Sequence, residues 1–207
     1  MGYKHFGRIG DIWKHLPLCE IVSNEDIKVY IETNSAYFDY KLEHSAEQDY
    51  GIDLFIKKSG KHQQLKKTAY YKIIKPAYNR DRYLGSCGQI IQLLGDKPDK
   101  YLFFDIDREA LASIEKAVAT LGLSHKVETK QTDSATGLIN LIPKLNNQTF
   151  VHIDPYVMHQ PNKDGYSYLD GFFEASEKGI KCFLWYGFGT LNDKNEINDI
   201  LYSGINQ

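Results

Sequence analysis

The chain has 207 residues, of which 42% are apolar and 25% are charged, as in ordinary globular proteins. This length is typical of one domain with a sizeable core, so we expect residues 1–207 to form a single domain. The net charge of −2 excludes a nucleic-acid signature carried by the whole chain, and any such binding must come from a local patch.

The first motif in the chain is Gly7-x-x-Gly10-Asp11-x-x-Lys14-His15. Asp11, Lys14 and His15 stand at positions i, i+3 and i+4, which share one face of a helix. A cation and an imidazole on that face could hold the carboxylate of a ligand. The alternative is a solvated helix face with internal salt bridges.

Residues 27–31 form a continuous apolar run, which predicts a strand buried on both faces of a parallel sheet. The run is followed by residues 32–36, Glu-Thr-Asn-Ser-Ala, where nucleotide-binding α/β folds usually carry a glycine-rich turn. No glycine occurs there, but the small side chains of Ser35 and Ala36 still allow a ligand to approach closely. This turn argues against a dinucleotide and is compatible with a ligand that has an amino-acid moiety.

Residues 37–98 separate the first predicted strand from the second, far more than the roughly 15 residues of a single crossover helix. We therefore predict a helical insertion at about residues 40–82. Residues 55–80 contain no acid. The lysines and tyrosines of this stretch are Lys57, Lys58, Lys61, Lys66, Lys67, Lys72, Lys75, Tyr70, Tyr71 and Tyr78. The lysine-rich stretch 57–75 could bind RNA, and a solvated helix face is an equally weighted alternative.

A further helix is predicted to begin just before the second strand, at the motif Tyr83-x-Gly85-Ser86. Serine is a preferred N-cap because its hydroxyl oxygen accepts a hydrogen bond from a free N–H group of the first turn. We therefore predict that Ser86 caps this helix, and its hydroxyl could also face a ligand.

The second predicted strand, residues 101–104, is followed by two acids, Asp105 and Asp107. Nucleotide-binding α/β folds use an acid at this position to bind ribose hydroxyls, and we assign that role to Asp105. Asp107 is predicted to be the N-cap of a helix over residues 107–121, which Gly122 ends.

The third predicted strand, residues 126–129, has the weakest pattern and precedes Asp133-Ser134. A carboxylate and a backbone amide at this position could meet the edge of an adenine ring. A plain N-cap for the helix predicted over residues 134–145 is the alternative.

The fourth predicted strand, residues 149–153, ends at Asp154-Pro155-Tyr156. There a carboxylate could accept a hydrogen bond from a substrate amine, and the proline carbonyl could accept a second one. The aromatic ring could stack on a flat substrate. Because Asp-Pro is also a common turn signal, a structural role is the alternative.

A helix over residues 168–178 and a fifth strand over residues 182–186 complete the pattern. Strands that alternate with helices predict a doubly wound, Rossmann-like parallel sheet of about five strands with right-handed crossovers. Ligands of such sheets bind outside the carboxyl ends of the strands, where most of the candidate residues lie.

The cysteines and histidines give no sign of a metal site. Cys19, Cys87 and Cys182 lie far apart without Cys-x-x-Cys spacing, which indicates reduced and mostly buried thiols in a cytoplasmic protein. The seven histidines do not pair at the spacing of metal ligands, so we expect no metal. We also expect no secretory signal and no membrane-spanning segment.

These motifs, in this order and spacing, resemble a known family over about residues 2–189. The motifs are His5-x-Gly7-x-x-Gly10-Asp11-x-x-Lys14-His15, Ile31-Glu32-Thr33-x-Ser35-Ala36, Tyr83-x-Gly85-Ser86, Asp105, Asp133, Ile153-Asp154-Pro155 and Leu184-Trp185-Tyr186. The chain resembles the bacterial 23S ribosomal RNA adenine-N6 methyltransferases of the large-subunit methyltransferase J type. It resembles a divergent member that is shortened at its C-terminus.

The resemblance implies a class I methyltransferase fold, S-adenosylmethionine as methyl donor, and an amine of an RNA base as acceptor. It places Asp154 at the acceptor amine and Tyr3 or Lys4 against the substrate. The residues that it places against the cofactor are His15, Asn34, Ser86, Asp105, Asp133 and Ser134. In this chain the Asp-Pro-Pro-Tyr loop of the family is replaced by residues 154–157, Asp-Pro-Tyr-Val.

Three hypotheses follow. The first is an S-adenosylmethionine-dependent methyltransferase that acts on an amine of a nucleic-acid base. The second is a small-molecule enzyme that methylates a metabolite or cyclises the cofactor through its own amine. The third is a binding module that has kept the fold and lost the chemistry.

Overall fold

A parallel β-sheet forms the centre of the protein, as seen in a computed structural model that describes residues 5–205. The strands are, in chain order, β1 (Val29–Glu32), β2 (Asp39–Lys41), β3 (Arg82–Leu84), β4 (Lys100–Asp105), β5 (Val127–Gln131), β6 (Thr149–Ile153) and β7 (Lys181–Leu184). Five of them form the central sheet, and β2 pairs with β3 in a separate antiparallel ribbon. Tyr3 and Lys4 lie outside the described residues.

Helices connect the strands and cover both faces of the sheet. They are α1 (Ile9–Ser23), α2 (Ala46–Asp49), α3 (Ile52–Ser59), α4 (Gln63–Lys67), α5 (Ala69–Tyr78), α6 (Ser86–Leu94), α7 (Arg108–Thr120), α8 (Ser134–Leu141), α9 (Tyr168–Glu177) and α10 (Leu191–Ile205). A short 3-10 helix, Ile142–Lys144, follows α8, because a proline at residue 143 removes a backbone donor. Among residues 5–205, no helix combines the length and apolarity that a membrane crossing requires.

The central strands lie in the order β5-β4-β1-β6-β7, and every neighbouring pair is parallel. The chain runs outward from β1 through β4 to β5 and then returns to the other side of β1 with β6 and β7. The strand order therefore reverses between β1 and β6. In open α/β sheets, the crevice outside the carboxyl ends of the strands at such a reversal is where ligands bind.

The five strands predicted from the sequence are the five strands of this sheet. The fourth prediction, residues 149–153, matches β6 at both ends, and every residue of β6 is buried. The first and fifth predictions differ from β1 and β7 by one or two residues at each end. The third had the weakest pattern because β5 is an edge strand with no fully buried residue.

Two predicted helix ends can be compared directly with the structure. Asp107 is the N-cap of α7, as predicted, and its carboxylate accepts hydrogen bonds from the backbone N–H groups of residues 109 and 110. The prediction that Ser86 caps α6 is wrong, because Gly85 is the N-cap. A Cβ atom at Gly85 would lie 2.1 Å from the carbonyl oxygen of Tyr37, so only glycine fits there. Ser86 is thereby the first residue inside the helix.

The segment between β1 and β4 contains the β2–β3 ribbon and the helices α2 to α6. Helices α5 and α6 both pack against α1. Most of the lysines that the sequence singled out are exposed, whereas the tyrosines turn inward. Tyr70 is fully buried in the core, and the hydroxyl of Tyr78 donates to Asp53 at 2.8 Å.

Alternate residues of the central strands face two different hydrophobic clusters. One face packs against α1, α5, α6 and α7 and is aromatic, with Tyr30, Tyr101, Phe103 and Phe150. The opposite face packs against α8 and α9 and is largely aliphatic, with Ile31, Leu102, Phe104, Val151 and Ile153. Because side chains alternate along a strand, Asp105 and Asp154 extend the rows of the first face.

Candidate functional site

Asp154 follows the last residue of β6 and forms a close ion pair with Lys14 of α1. The Lys14 Nζ atom lies 2.6 Å from Asp154 Oδ2 and 3.6 Å from Asp11 Oδ1. The side chains of Lys14 and Asp154 are only 11% and 17% exposed. The backbone N–H of Asp154 donates to the hydroxyl of Thr33 at 3.3 Å, which ties β6 to the turn after β1. The helix face that carries Lys14 is thus turned toward the sheet edge. It is not solvated, although it does carry the internal salt bridge with Asp11 that the alternative included.

Burial and charge act in opposite directions on this pair. Burial alone would lower the pKa of Lys14, but the carboxylates of Asp154 and Asp11 outweigh it and leave the pKa above its ordinary value. Burial raises the pKa of Asp154 above its ordinary value, although the neighbouring ammonium group of Lys14 opposes this shift. The pair therefore keeps a firmly protonated cation beside the carboxylate.

The turn after β1 brings backbone groups and an acid together without any glycine. Asn34 and Ala36 both adopt left-handed backbone conformations, with φ of 56° and 54°. Asp105, which is the last residue of β4, accepts a hydrogen bond from the backbone N–H of Ala36 at 2.8 Å. Its other oxygen accepts one from the N–H of Asp107, also at 2.8 Å. Asp105 therefore stabilises a turn that costs conformational energy at a non-glycine residue.

Asn34, Ser134 and Tyr168 form a polar triad above the carboxyl ends of the strands. The amide of Asn34 donates to the hydroxyl of Tyr168 at 3.0 Å, and the hydroxyl oxygens of Ser134 and Tyr168 lie 2.9 Å apart. Ser134 also donates to the amide oxygen of Asn34 at 3.4 Å. Two of the predicted cofactor contacts are thus joined to each other and to a tyrosine at the start of α9.

Asp133 is the N-cap of α8, and its Oδ1 atom accepts from the backbone N–H of Thr136 at 3.0 Å. The same oxygen accepts a hydrogen bond from the side-chain amide of Asn162 at 2.5 Å. The capping alternative is therefore correct for Asp133. Capping leaves the second carboxylate oxygen for other partners.

His15 is buried behind Lys14 against α6 and the β2–β3 ribbon. Its Nδ1 atom lies 3.0 Å from both the amide nitrogen of Gln89 and the hydroxyl of Tyr83. Because an amide nitrogen can only donate, Nδ1 accepts and the proton sits on Nε2. That buried Nε2–H group has no hydrogen-bond partner among the described residues. Burial, with Lys14 and His152 adding to it, holds the pKa of His15 well below its ordinary value, so the ring is neutral.

Glu32 is fully buried at the end of β1 and was missed as a candidate. Its carboxylate accepts hydrogen bonds from the hydroxyl of Ser86 and, at 2.9 Å, from that of Tyr30. The Nδ1 atom of His152, on the neighbouring strand, lies 3.6 Å away. Both ring nitrogens of His152 lack a hydrogen bond to any described residue. A buried polar row thus lies directly below Asp154 and Asp105.

Most of the predicted residues fall into two groups in space, and three others are placed separately. Lys14 and His15 line the inner face of α1 beside Asp154. The second group borders the turn after β1 and the start of α8; it comprises Asn34, Asp105, Asp133 and Ser134. Ser86 points away to Glu32, Pro155 is buried, and Tyr156 is 98% exposed beside Asp154.

Asn162 and Tyr168 were not predicted as site residues. One is an asparagine in a loop and the other is the first residue of a helix, and neither position indicates a bond to a residue that is distant in the chain. Glu32 had a signal. An acid at the end of a buried strand, two residues after a tyrosine, stands on the same face as that tyrosine. Among residues 5–205, no cluster of three or more histidine, cysteine or acidic side chains has the arrangement of a metal site.

No protein-family model and no curated protein matches the chain. The fold is similar to that of a protein from Legionella pneumophila strain Philadelphia 1, whose crystal structure is described under the family DUF519. The two chains share 19% sequence identity with a TM-score of 0.75, over 95% of this chain and 74% of the other. At this identity the likeness shows the fold alone, an α/β fold compatible with the Rossmann-like class.

Proposed function

We propose that the protein is an S-adenosylmethionine-dependent methyltransferase that transfers a methyl group to an amine. The observation that carries the proposal is the pairing of Asp154 with an ammonium group at 2.6 Å, at the carboxyl edge of the sheet beside the reversal of strand order. A carboxylate that already holds a nitrogen cation in this position has the geometry and charge to accept N–H hydrogen bonds from a substrate amine.

The residues around Asp154 fit the proposed cofactor. The buried Nε2–H group of His15 is a donor without a described partner, and it suits a carboxylate oxygen of an amino-acid moiety. Asp105 lies where ribose hydroxyls would bind, although both of its oxygens already accept backbone N–H groups. The carboxylate of Asp133 suits a purine amine. When bound, S-adenosylmethionine would supply an electrophilic methyl group on a sulfonium centre.

The chain itself would contribute mainly by positioning the acceptor. Asp154 and the carbonyl of Pro155 would accept the two N–H bonds of the amine and orient its lone pair. Lys14 would move from the carboxylate toward Asp11, which lies 3.6 Å from its ammonium group. Correct orientation of two reactants can lower the activation barrier by several kcal/mol. The contribution of acid–base catalysis to the rate can therefore be small.

We assign the acceptor amine to a flat base of RNA. Tyr156 presents a ring that is 98% exposed directly after Pro155, where it could stack on such a base. Most lysines of residues 57–75 are exposed, and none of them forms an ion pair in the part of the chain that the structure describes. These lysines could neutralise phosphates.

A small-molecule S-adenosylmethionine enzyme is the second candidate. The inward-facing Tyr70 and Tyr78 favour it, because they are not free to stack on bases along the insertion. Incubation with the cofactor, once without an acceptor and once with RNA, separates the two candidates. Release of methylthioadenosine without a methylated product would favour the second candidate, whereas methylated RNA bases would favour the first.

The direct test is methyl transfer from labelled S-adenosylmethionine to unmodified ribosomal RNA. We expect transfer by the wild-type protein and a loss of about 100-fold or more in Asp154→Asn, which keeps the size of the side chain but not its charge. Asp199→Asn, on the exposed side of α10, is the matched control and should keep wild-type activity. Absence of cofactor binding and of transfer to any amine would contradict the proposal.

A further inference from the structure

Residues 157–168, which comprise the connection after Tyr156 and the first residue of α9, lie across the start of α8 and the turn after β1. We call this stretch the cover segment. It contacts the site through two polar side chains, Asn162 and Tyr168. Asn162 bonds to Asp133, which the proposed function assigns to the purine amine of the cofactor. Tyr168 bonds to Asn34 and Ser134, which the resemblance places against the cofactor.

Asn162 is oriented by its own loop. Its side-chain oxygen accepts hydrogen bonds from the backbone N–H groups of Asp164 at 2.9 Å and Tyr166 at 3.1 Å. Its backbone N–H donates to the carbonyl of Tyr166 at 2.8 Å, and Gly165, with φ of 84°, closes the turn. The amide nitrogen is therefore directed outward from the turn.

That amide nitrogen donates to the capping oxygen of Asp133 at 2.5 Å and to the hydroxyl of Thr136 at 2.9 Å. Asp164 supports the contact by accepting a hydrogen bond from Thr136 at 2.9 Å. A planar N–H₂ group thus sits against the carboxylate at the start of α8. This is the kind of group that the exocyclic amine of adenine presents.

Tyr168 makes the second contact of the cover segment. Its hydroxyl lies 3.0 Å from the amide nitrogen of Asn34 and 2.9 Å from the hydroxyl of Ser134. The aromatic ring packs in the clusters under α9, so the hydroxyl is held in place. A hydroxyl between an amide and a serine is the kind of group that a ribose presents.

We propose that Asn162 and Tyr168 occupy the hydrogen-bonding positions of an adenine nucleoside, which must displace the cover segment to bind. The proposal rests on the proposed function. A buried polar group without a hydrogen-bond partner destabilises the folded protein. A site whose polar groups bond to each other is therefore stable without ligand. A ligand binds there by replacing these internal hydrogen bonds with its own. The apparent affinity is then reduced by the fraction of molecules in which the cover segment is displaced.

The experiment measures the affinity for adenosine and for S-adenosylmethionine by calorimetry in three variants. Tyr168→Phe removes the hydroxyl and keeps the ring. Asn162→Asp keeps the acceptor oxygen of the turn but places a second carboxylate against Asp133. We expect each of these two to bind both ligands about fivefold more tightly, since one net hydrogen bond changes an equilibrium by about that factor. Tyr166→Phe is the control because its hydroxyl bonds to no described residue, and its affinity should not change.

Amide hydrogen exchange provides a second measurement on the wild-type protein. Saturating S-adenosylmethionine should increase exchange at residues 162–166, because the ligand displaces them. Unchanged or weaker binding by Tyr168→Phe and Asn162→Asp, or increased protection of residues 162–166, would overturn the cover proposal and leave the methyltransferase proposal standing. Failure of the wild-type protein and of all variants to bind either ligand would overturn both.

Discussion

The two faces of the central sheet are built from the same strands but differ in chemistry. On the face under α8 and α9, the cluster between the strands and the helices is apolar along its length, from Ile31 and Leu102 to Ile153. On the face under α1 and α6, the aromatic row gives way to Glu32 and His152, and then to Asp105 and Asp154 at the sheet edge. Adjacent residues of one strand thus serve different purposes.

The difference shows how a parallel sheet can carry a polar site without losing its core. Polar side chains on one face alternate with apolar side chains on the other, so the second face can supply stability while the first supplies chemistry. Each buried polar group on the first face then needs a partner, and most have one, such as the hydroxyl groups that donate to Glu32.

The most severe way to break this separation is to place an acid on the apolar face. Val151→Asp would bury a carboxylate among the aliphatic side chains of this cluster, which include Ile31 and Ile153. We expect a loss of more than about 4 kcal/mol in the free energy of unfolding, or failure to fold, measured by chemical denaturation. Val151→Ala, which creates only a cavity, should lose about 2 kcal/mol. Equal losses in the two variants would contradict the separation of the faces.

On the polar face, the largest effect should come from Lys14. Lys14→Met would leave Asp154 and Asp11 without their cation, and we expect the free energy of unfolding at pH 7 to fall by about 3 kcal/mol. Adding Asp154→Asn to that variant should restore most of the loss, because no unpaired carboxylate then remains at that position. An unchanged stability of Lys14→Met would show that the ion pair is not maintained in solution.

The pH dependence of this effect has a definite sign. The pKa of Lys14 is raised in the folded state above its ordinary value of 10.5. Its contribution is therefore fully present below pH 10.5 and is lost as the pH rises through the folded-state pKa. The stability difference between wild type and Lys14→Met should shrink in alkaline denaturation series.

His15 should give a smaller effect at the opposite end of the pH scale. Its pKa is well below 6.5 in the folded state, mainly because of burial, so below pH 6.5 the unfolded chain binds one more proton. The free energy of unfolding should therefore fall as the pH decreases from 6.5, by up to about 1.4 kcal/mol per pH unit from this group. His15→Gln should flatten this slope, and identical slopes in the two proteins would contradict the buried neutral ring.

The sequence predicted the sheet and the strand-end acids because both depend on local pattern. A continuous apolar run such as residues 149–153 can only be stable between two covered faces, and the residue after it must emerge at the sheet edge. Asp107 could be assigned to capping because the contact spans only two or three residues.

The remaining contacts of the site could not be predicted because they join residues that are distant in the chain. The hydroxyl of Tyr168 accepts a hydrogen bond from Asn34, which is 134 positions away in the chain, and no local sequence pattern predicts that contact. Ser86 was assigned to a cap because the close approach of Gly85 to the carbonyl of Tyr37 is a tertiary contact. The local sequence pattern therefore predicted which residues lie at the edge of the sheet. Which of their side chains contact each other depends on tertiary packing.

The smallest predicted effect concerns Thr149, an exception on the apolar face. Its hydroxyl is buried and has no hydrogen-bond partner among residues 5–205. Thr149→Val keeps the shape of the side chain and removes the hydroxyl, so thermal and chemical denaturation should show a gain of about 1 kcal/mol. The matched change Thr129→Val removes a hydroxyl that donates to Glu115 at 2.5 Å and should lower the stability instead. A loss of stability in Thr149→Val would mean that the hydroxyl has a partner in solution and that the apolar face is less dry than its packing indicates.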